Sequence, residues 1–105
     1  MKKIFVSLLI LMSTAATAAN QPDAAADLHR LFEATWQKEL AADPQMADYL
    51  GDNRYNDRWT DMSKEAIAGR HRHDLDTLAA LQAIPRESLG AADRLNYDLF
   101  EREYR

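Results

Sequence analysis

The sequence contains no cysteine, so the chain can form no disulfide and its fold depends on packing alone. The same absence excludes a lipoprotein, because the acyl chain of a lipoprotein is attached to a cysteine just after the leader. Runs of alternating polar and apolar residues long enough for a strand are also missing, as are internal repeats and low-complexity tracts. These absences favour a small all-α protein.

The sequence also lacks an excess of positive charge. Its formal net charge is −4, and the basic residues form no cluster. Neutralisation of phosphates dominates the affinity of proteins for nucleic acids, and anionic membrane surfaces likewise attract basic segments. We therefore expect no nucleic-acid partner and no binding to an anionic membrane surface.

Motifs for common chemistries are missing as well: the sequence contains no GxSxG elbow, no glycine-rich phosphate loop and no HExxH. Two histidines on one helix bind a zinc ion when they are three or four residues apart. His71 and His73 are two apart, and His29 lies far from both. We expect no catalytic and no metal-binding residue in this chain, with residues 70–74 forming a solvated face and His71 at the edge of the core.

The first 19 residues have the pattern of a signal peptide. Lys2 and Lys3 precede an apolar run over residues 4–12, and small residues follow up to a small-x-small site. An uncleaved anchor or a buried helix is the alternative, but a membrane-spanning helix needs about 20 apolar residues. We expect cleavage after Ala18 or Ala19 and a periplasmic or secreted product without a stable membrane anchor.

Apolar residues spaced three and four apart predict an all-α fold with about four helices. The predicted helices cover residues 24–42, 44–50, 64–83 and 91–105, and they surround an irregular central loop over residues 51–63.

Capping residues place several of these boundaries. Asp43 and Ser63 suit N-cap positions, Pro44 suits the first helical position, and Gly51 suits the position after a helix.

The apolar positions of these helices predict which side chains face inward. In the short second helix we expect Met46, Tyr49 and Leu50 to do so. In the third helix one predicted inward row comprises Ile67, His71, Leu75, Leu78 and Gln82, with Ala68, Ala79 and Leu81 beside it.

The fourth helix reaches Arg105 without a capping signal, while its apolar face is still continuing. We therefore expect residues 20–105 to be the N-terminal helical segment of a larger, truncated domain. On this interpretation, Leu95, Leu99 and Phe100 have no partner within the chain.

The central loop alternates basic and aromatic side chains. The aromatic residues Tyr49, Tyr55 and Trp59 either line a groove together with Arg54 and Arg58 or pin the loop onto the helices. We favour pinning.

The acidic residues of the loop also allow two interpretations. Asp52 and Asp57 either converge for general acid–base catalysis or pair with Arg54 and Arg58 and cap nearby helix ends. Sequence spacing within a loop cannot show convergence, so we favour pairing.

Several short motifs together resemble the opening of a bacterial family called domain of unknown function 885. The motifs are Asp43-Pro44, Leu50-Gly51-Asp52, Arg54-Tyr55-Asn56-Asp57, Asp61 with Ser63, and Asp93-Arg94-Leu95-Asn96-Tyr97, within a resemblance that covers about residues 28–105. Members are several-fold longer, mainly helical, and similar to zincin metallopeptidases of the carboxypeptidase type. The resemblance implies that a full-length parent binds zinc through an HExxH helix, whose glutamate activates water.

The resemblance implies that this chain is an exported fragment that is inactive alone, because its sequence has no HExxH. It would contribute a helical wall or lid over a substrate channel, with Arg54 and Tyr55 as candidates for substrate contact. Its partners would be the remainder of the parent chain and a peptide substrate, and only the full-length parent would carry zinc. A small periplasmic helical protein that binds a partner or inhibits an enzyme is the alternative, and a helical module without a ligand is the third.

Overall fold

The computed structural model of the chain describes residues 23–105, and this part is all-α. Its helices are α1 (Ala24–Ala42), α2 (Pro44–Tyr49), α3 (Lys64–Gln82) and α4 (Ala91–Tyr104). Short 3-10 turns lie at Asn53–Tyr55 and Arg86–Ser88. The predicted all-α class and four-helix order are confirmed.

The signal peptide predicted for residues 1–19, with cleavage after Ala18 or Ala19, lies outside the described residues. Among the helices of residues 23–105, none combines the length and the apolar character needed to cross a membrane.

Side-chain caps explain where α1, α2 and α3 begin, whereas α4 begins after Gly90 without one. Asp23 caps α1, and the carboxylate of Asp43 accepts a hydrogen bond from the backbone N–H of Met46 at 3.2 Å, at the start of α2. The hydroxyl of Ser63 accepts from the N–H of Ala66 at 3.1 Å at the start of α3. Each bond satisfies a backbone donor that the first turn of a helix leaves free.

The end of α2 is a Schellman motif built on Gly51. Gly51 has a positive φ of 86°, and its N–H donates to the carbonyl of Asp48 at 2.9 Å. The N–H of Asp52 donates to the carbonyl of Ala47 at 2.8 Å, which is the second bond of this motif. The motif turns the chain sharply out of α2 and into the central loop.

The core lies where the first half of α1, the end of α3 and the first half of α4 meet. Leu28 and Leu81 are fully buried at its centre. The other buried members are Ala24, Ile84, Leu89 and Tyr97. The rings of Phe32 and Phe100 lie 4.6 Å apart at its edge, so the prediction that Phe100 has no partner is wrong.

The inward face predicted for α2 is also wrong. Met46, Tyr49 and Leu50 are exposed, whereas Pro44 and Ala47 are buried. The chain enters α2 directly from α1 through a single capping residue, which brings the two helices close together. Small side chains suit so close an approach, and the larger ones point outward.

The buried face of α3 matches the predicted one only in part: Leu81 is buried and Leu78 is half-buried, as expected. Thr77 and Leu81 are buried and His73 is half-buried, and these three residues form an i, i+4 row. The predicted row begins with Ile67, His71 and Leu75, and all three are exposed. Two positions along a helix correspond to a rotation of about 200°, so these rows lie on nearly opposite sides. His73, rather than His71, therefore lies at the edge of the packed interior.

Candidate functional site

Arg54 anchors the central loop to α1. Its Nε lies 2.9 Å from Oδ1 of Asp52 and its Nη2 lies 2.6 Å from Oδ2, so the pair is bidentate. The same Nη2 donates to Oε1 of Gln37 in α1 at 2.7 Å. The guanidinium of Arg54 holds the pKa of Asp52 below its ordinary value. The predicted pairing of Asp52 with Arg54 is confirmed.

Tyr55 contacts two guanidinium groups. The central carbon of Arg54 lies 5.3 Å from the centroid of the Tyr55 ring, and that of Arg58 lies 5.4 Å from it. Both distances suit cation–π contacts. Arg58 also pairs with Asp57 at 3.4 Å. The two candidate substrate-contact residues, Arg54 and Tyr55, are therefore neighbours at the surface of the loop.

Asp43 and Arg70 hold the other end of the loop. The hydroxyl of Thr60 donates to the carboxylate of Asp43, and this bond is the main reason why the pKa of Asp43 is lowered. Nη1 of Arg70 donates to the carbonyl of Asp61 at 2.8 Å. The loop is thus bonded to both α1 and α3, and polar contacts rather than aromatic burial fix it.

Pinning by aromatic residues is wrong for two of the three candidates. Tyr49 is 85% exposed and Trp59 is 81% exposed, whereas Tyr55 is half-buried. The buried cluster lies at the first half of α1 and the end of α3, whereas the loop is bonded to the second half of α1 and the first half of α3. The indole of Trp59 instead borders surface clefts.

A groove of about 540 Å³ runs between α1, α2 and the first half of α3, and we call it the acidic groove. Trp36, Met46 and Ile67 supply apolar surface. Its charged and ionisable lining residues are Glu39, Asp43, Asp74, Arg70, His71 and His73. Burial raises the pKa of Glu39, and the nearby charges of Asp74 and Glu103 raise it further. A carboxylate in this environment is costly to ionise.

A second groove, between α1 and α4, continues the same surface. It shares Trp36 and Glu39 with the acidic groove and adds Leu99 and Tyr104. The hydroxyl of Tyr104 donates to the carboxylate of Glu39. The predicted exposure of Leu95 and Leu99 is confirmed. Large apolar side chains therefore border one strip of surface that runs along α1.

A third cleft, of about 530 Å³, lies between the second half of α1, the central loop and α3, and we call it the basic cleft. Lys38, Arg58, Arg70, His73 and Trp59 border it. Its other lining residues are mostly small and include Ala41, Ala42, Ala66 and Gly69.

His73 carries the one buried side-chain nitrogen or oxygen atom that has no hydrogen-bond partner within residues 23–105, its Nε2. Burial lowers the pKa of His73, and the nearby charge of Lys38 lowers it further. The charges of Asp74 and Asp76 oppose this shift, and the net effect favours the neutral imidazole.

Sequence reasoning missed the basic cleft because its members lie far apart along the chain. Adjacent Arg58 and Trp59 were the only local signal, and nothing in the sequence places them beside Lys38 or His73.

Across residues 23–105, no group of three or more histidine or acidic side chains is arranged to hold a metal ion. His29 lies against Asp93, with Nε2 and Oδ1 at 2.8 Å, and His71 is exposed on α3.

Residues 44–105 match the model of a family described as Bacterial protein of unknown function (DUF885). The chain belongs to this family. The DUF885 match begins at the first residue of α2 and includes the central loop, α3 and α4, so Arg54 and Tyr55 lie within it and α1 precedes it. Neither a search of curated proteins nor one of solved structures found a match.

Proposed function

We propose that this chain is the exported N-terminal part of a zinc-dependent, peptidase-like DUF885 protein, and that it supplies a helical wall of that protein without performing catalysis. The observation that carries the proposal is the strip of apolar surface along α1 and its neighbours. Trp36 and Ile67 are nearly half exposed there, and Leu99 is more than half exposed. Further polypeptide of the parent protein would bury this strip.

Membership in DUF885 supports the same proposal. The motifs around the central loop resemble those at the start of longer, zincin-like proteins, and the sequence itself contains no HExxH. Zinc and the water-activating glutamate would then belong to a part of the parent outside these residues. The role left for residues 23–105 is to shape and cover a substrate channel.

Arg54 and Tyr55 are the candidates for contact with a peptide substrate in that parent. The bidentate pair with Asp52 fixes the guanidinium of Arg54, and the side chain of Tyr55 lies beside it. An aromatic ring held next to a fixed cation offers a peptide both an apolar face and a donor for a carbonyl or carboxylate group. Loops held on a rigid helical scaffold commonly supply such contacts.

The first test is to read the gene downstream of the codon for Arg105. We expect an open reading frame that encodes HExxH on a helix, and we expect the longer product to bind zinc when the 105-residue chain does not. Zinc content after dialysis, measured by mass spectrometry, compares the two products. A stop codon with no HExxH in any downstream frame would contradict the proposal and favour a small helical binding or inhibitor protein.

The substrate contact is tested in the longer product with Tyr55→Leu. We expect this change to raise KM for peptide hydrolysis and to leave the zinc content unchanged. Tyr49→Leu is the matched control, because Tyr49 is exposed on α2 and lies outside the contact between Tyr55 and the two arginines. If the two variants had equal KM values, the proposed contact between Tyr55 and the substrate would be contradicted.

Export is tested separately by the mass of the mature protein. Cleavage after Ala18 or Ala19 leaves a chain that begins at Ala19 or Asn20, and intact-mass spectrometry of the periplasmic fraction or culture medium distinguishes these from the full chain. Recovery of only the uncleaved chain in the cytoplasm would contradict export.

A further inference from the structure

We propose that the basic cleft binds a small organic anion with a flat apolar body, of the class of aromatic carboxylates. This inference goes beyond the proposed function and does not depend on zinc, on export or on any further part of a parent protein. It rests on the charge, the shape and one unpaired atom of the cleft.

The charge of the cleft is not balanced by its own acids. Arg70 donates to the carbonyl of Asp61 and to the sulfur of Met62, and its charge interacts with the carboxylates of Asp43 and Asp61 without forming an ion pair with either. Lys38 forms no ion pair within residues 23–105, and Arg58 reaches Asp57 only at 3.4 Å, with both side chains mostly exposed. The carboxylate of Asp61 is the one acid that lines the cleft.

The shape of the cleft suits a flat body. The side chain of Trp59 lies along it and is 81% exposed, so one face of the indole is open for stacking. Ala41, Ala42, Ala66 and Gly69 also line the cleft, and their small side chains leave space between α1 and α3. Inorganic anions would gain little from these surfaces, because their affinity depends on charge and hydrogen bonds alone.

His73 provides the observation that is independent of charge. Its Nε2 is buried and has no partner within residues 23–105, and the side chain of His73 lines both this cleft and the acidic groove. Buried polar atoms are nearly always hydrogen-bonded, so an unpaired one next to a cleft points to a missing partner. In the tautomer that carries the proton on Nε2, this atom would donate to a carboxylate oxygen of the ligand.

The experiment is a titration of the purified 105-residue chain followed by NMR, with naphthalene-2-carboxylate as the probe. We expect the indole N–H of Trp59 and the ring signals of His73 to shift, and those of His71 to stay in place. The neutral amide 2-naphthamide should bind about tenfold more weakly, since it lacks the charge that strengthens these hydrogen bonds. Inorganic phosphate separates simple charge attraction from the proposed site, and it should leave the Trp59 signal unchanged.

Matched variants locate the site. Lys38→Met should weaken binding of the naphthalene carboxylate by roughly tenfold. Lys64→Met removes the same charge from the start of α3, outside the lining of the cleft, and should change the affinity less than about twofold. His73→Gln and His71→Gln form a second pair, in which only the first should weaken binding.

Gly69→Ala tests the shape of the cleft without risk to the fold. A Cβ at Gly69 meets no atom closer than Nη2 of Arg72 at 4.0 Å, so the added methyl group fits at a position that lines the cleft. This variant should keep or raise the melting temperature and still weaken binding of the probe.

Any of four results would overturn the inference. The first is equal affinity for the carboxylate and the amide, and the second is equal affinity of the Lys38→Met and Lys64→Met variants. The third is a Trp59 signal that does not shift up to the solubility limit of the probe. If sedimentation shows instead that a second copy of the chain covers Trp59, the cleft is an interface between copies and the inference also fails.

Discussion

Nε2 of His29 lies 2.8 Å from Oδ1 of Asp93, and this contact joins α1 to the first turn of α4. Asp93 also lies where the partial positive charge of the α4 N-terminus favours a carboxylate. The hydrogen bond from His29 is the main cause that lowers the pKa of Asp93. One surface carboxylate therefore links the two helices whose inner faces meet in the core.

Asp93→Asn should make the chain less stable at pH 5 than the unchanged protein. Because the pKa of Asp93 is lower in the folded state, its carboxylate stabilises the fold fully above its ordinary pKa of about 3.9. That contribution is lost as the pH falls through the lower folded-state pKa. Urea unfolding at several pH values should show that the two proteins differ less in free energy of unfolding below about pH 4. Asp76→Asn is the control, since Asp76 forms no ion pair within residues 23–105, and an equal difference for both variants would contradict the prediction.

Asp43→Ala should lower the free energy of unfolding by about 0.5–2 kcal/mol, the usual cost of losing an N-cap. The variant loses the bond from the N–H of Met46 and the bond from the hydroxyl of Thr60. Asp43→Asn keeps an acceptor oxygen and should lose less. Urea unfolding followed by circular dichroism measures both, with the exposed Asp48→Ala as the reference on the same helix. If Asp48→Ala lowered the free energy of unfolding as much as Asp43→Ala, Asp43 would have no special role.

Replacement of glycine by alanine should lower the stability of the chain at Gly51 and raise it at Gly69. Gly51→Ala places a side chain at a φ of 86° and should cost about 1–2 kcal/mol. Gly69→Ala lies inside α3, where alanine is favoured over glycine by roughly 0.5–1 kcal/mol and the Cβ has room. Thermal unfolding of the two variants gives the comparison. If the melting temperatures of both variants shifted in the same direction, the assigned backbone conformations would be contradicted.

Leu28→Ala should cost about 2–5 kcal/mol, because Leu28 is fully buried at the centre of the core. Leu99→Ala should change stability by less than about 0.5 kcal/mol in the 105-residue chain, where Leu99 is more than half exposed. If Leu28→Ala does not fold, Leu28→Met replaces it, because methionine preserves most of the side-chain volume. The free energy of unfolding of this variant can then be measured in urea. In a longer DUF885 product that buries the apolar strip, Leu99→Ala should become costly, and an unchanged stability there would argue against burial of Leu99.

The helix boundaries could be predicted because their causes are local. Asp23, Asp43 and Ser63 bond to backbone groups within three residues, and Gly51 adopts its positive φ within a motif of six residues. Such signals lie within one turn of sequence and do not depend on the tertiary structure. The pairing of Asp52 with Arg54 was predictable for the same reason.

The buried faces could not be predicted in the same way, because α3 has two rows that compete for the core. The row with Ile67 and Leu75 is the more apolar, yet the row with Thr77 and Leu81 packs against α1. The core covers only the end of α3, so a hydrophobic row that begins in its first turn remains outside. The basic cleft was unpredictable because Lys38, Trp59 and His73 belong to three separate elements that only the fold brings together.

The composition of the core also sets the order in which the chain can fold. Leu28 near the start of α1 shares one cluster with Tyr97 in α4, and most of residues 23–105 lie between them. Closing so long a loop is slower than forming any one of the helices. While the ribosome is still adding α3, Leu28 and Phe32 have no partner from α4, so the core cannot close. Closure of the core therefore requires nearly all of the described sequence to have been synthesised.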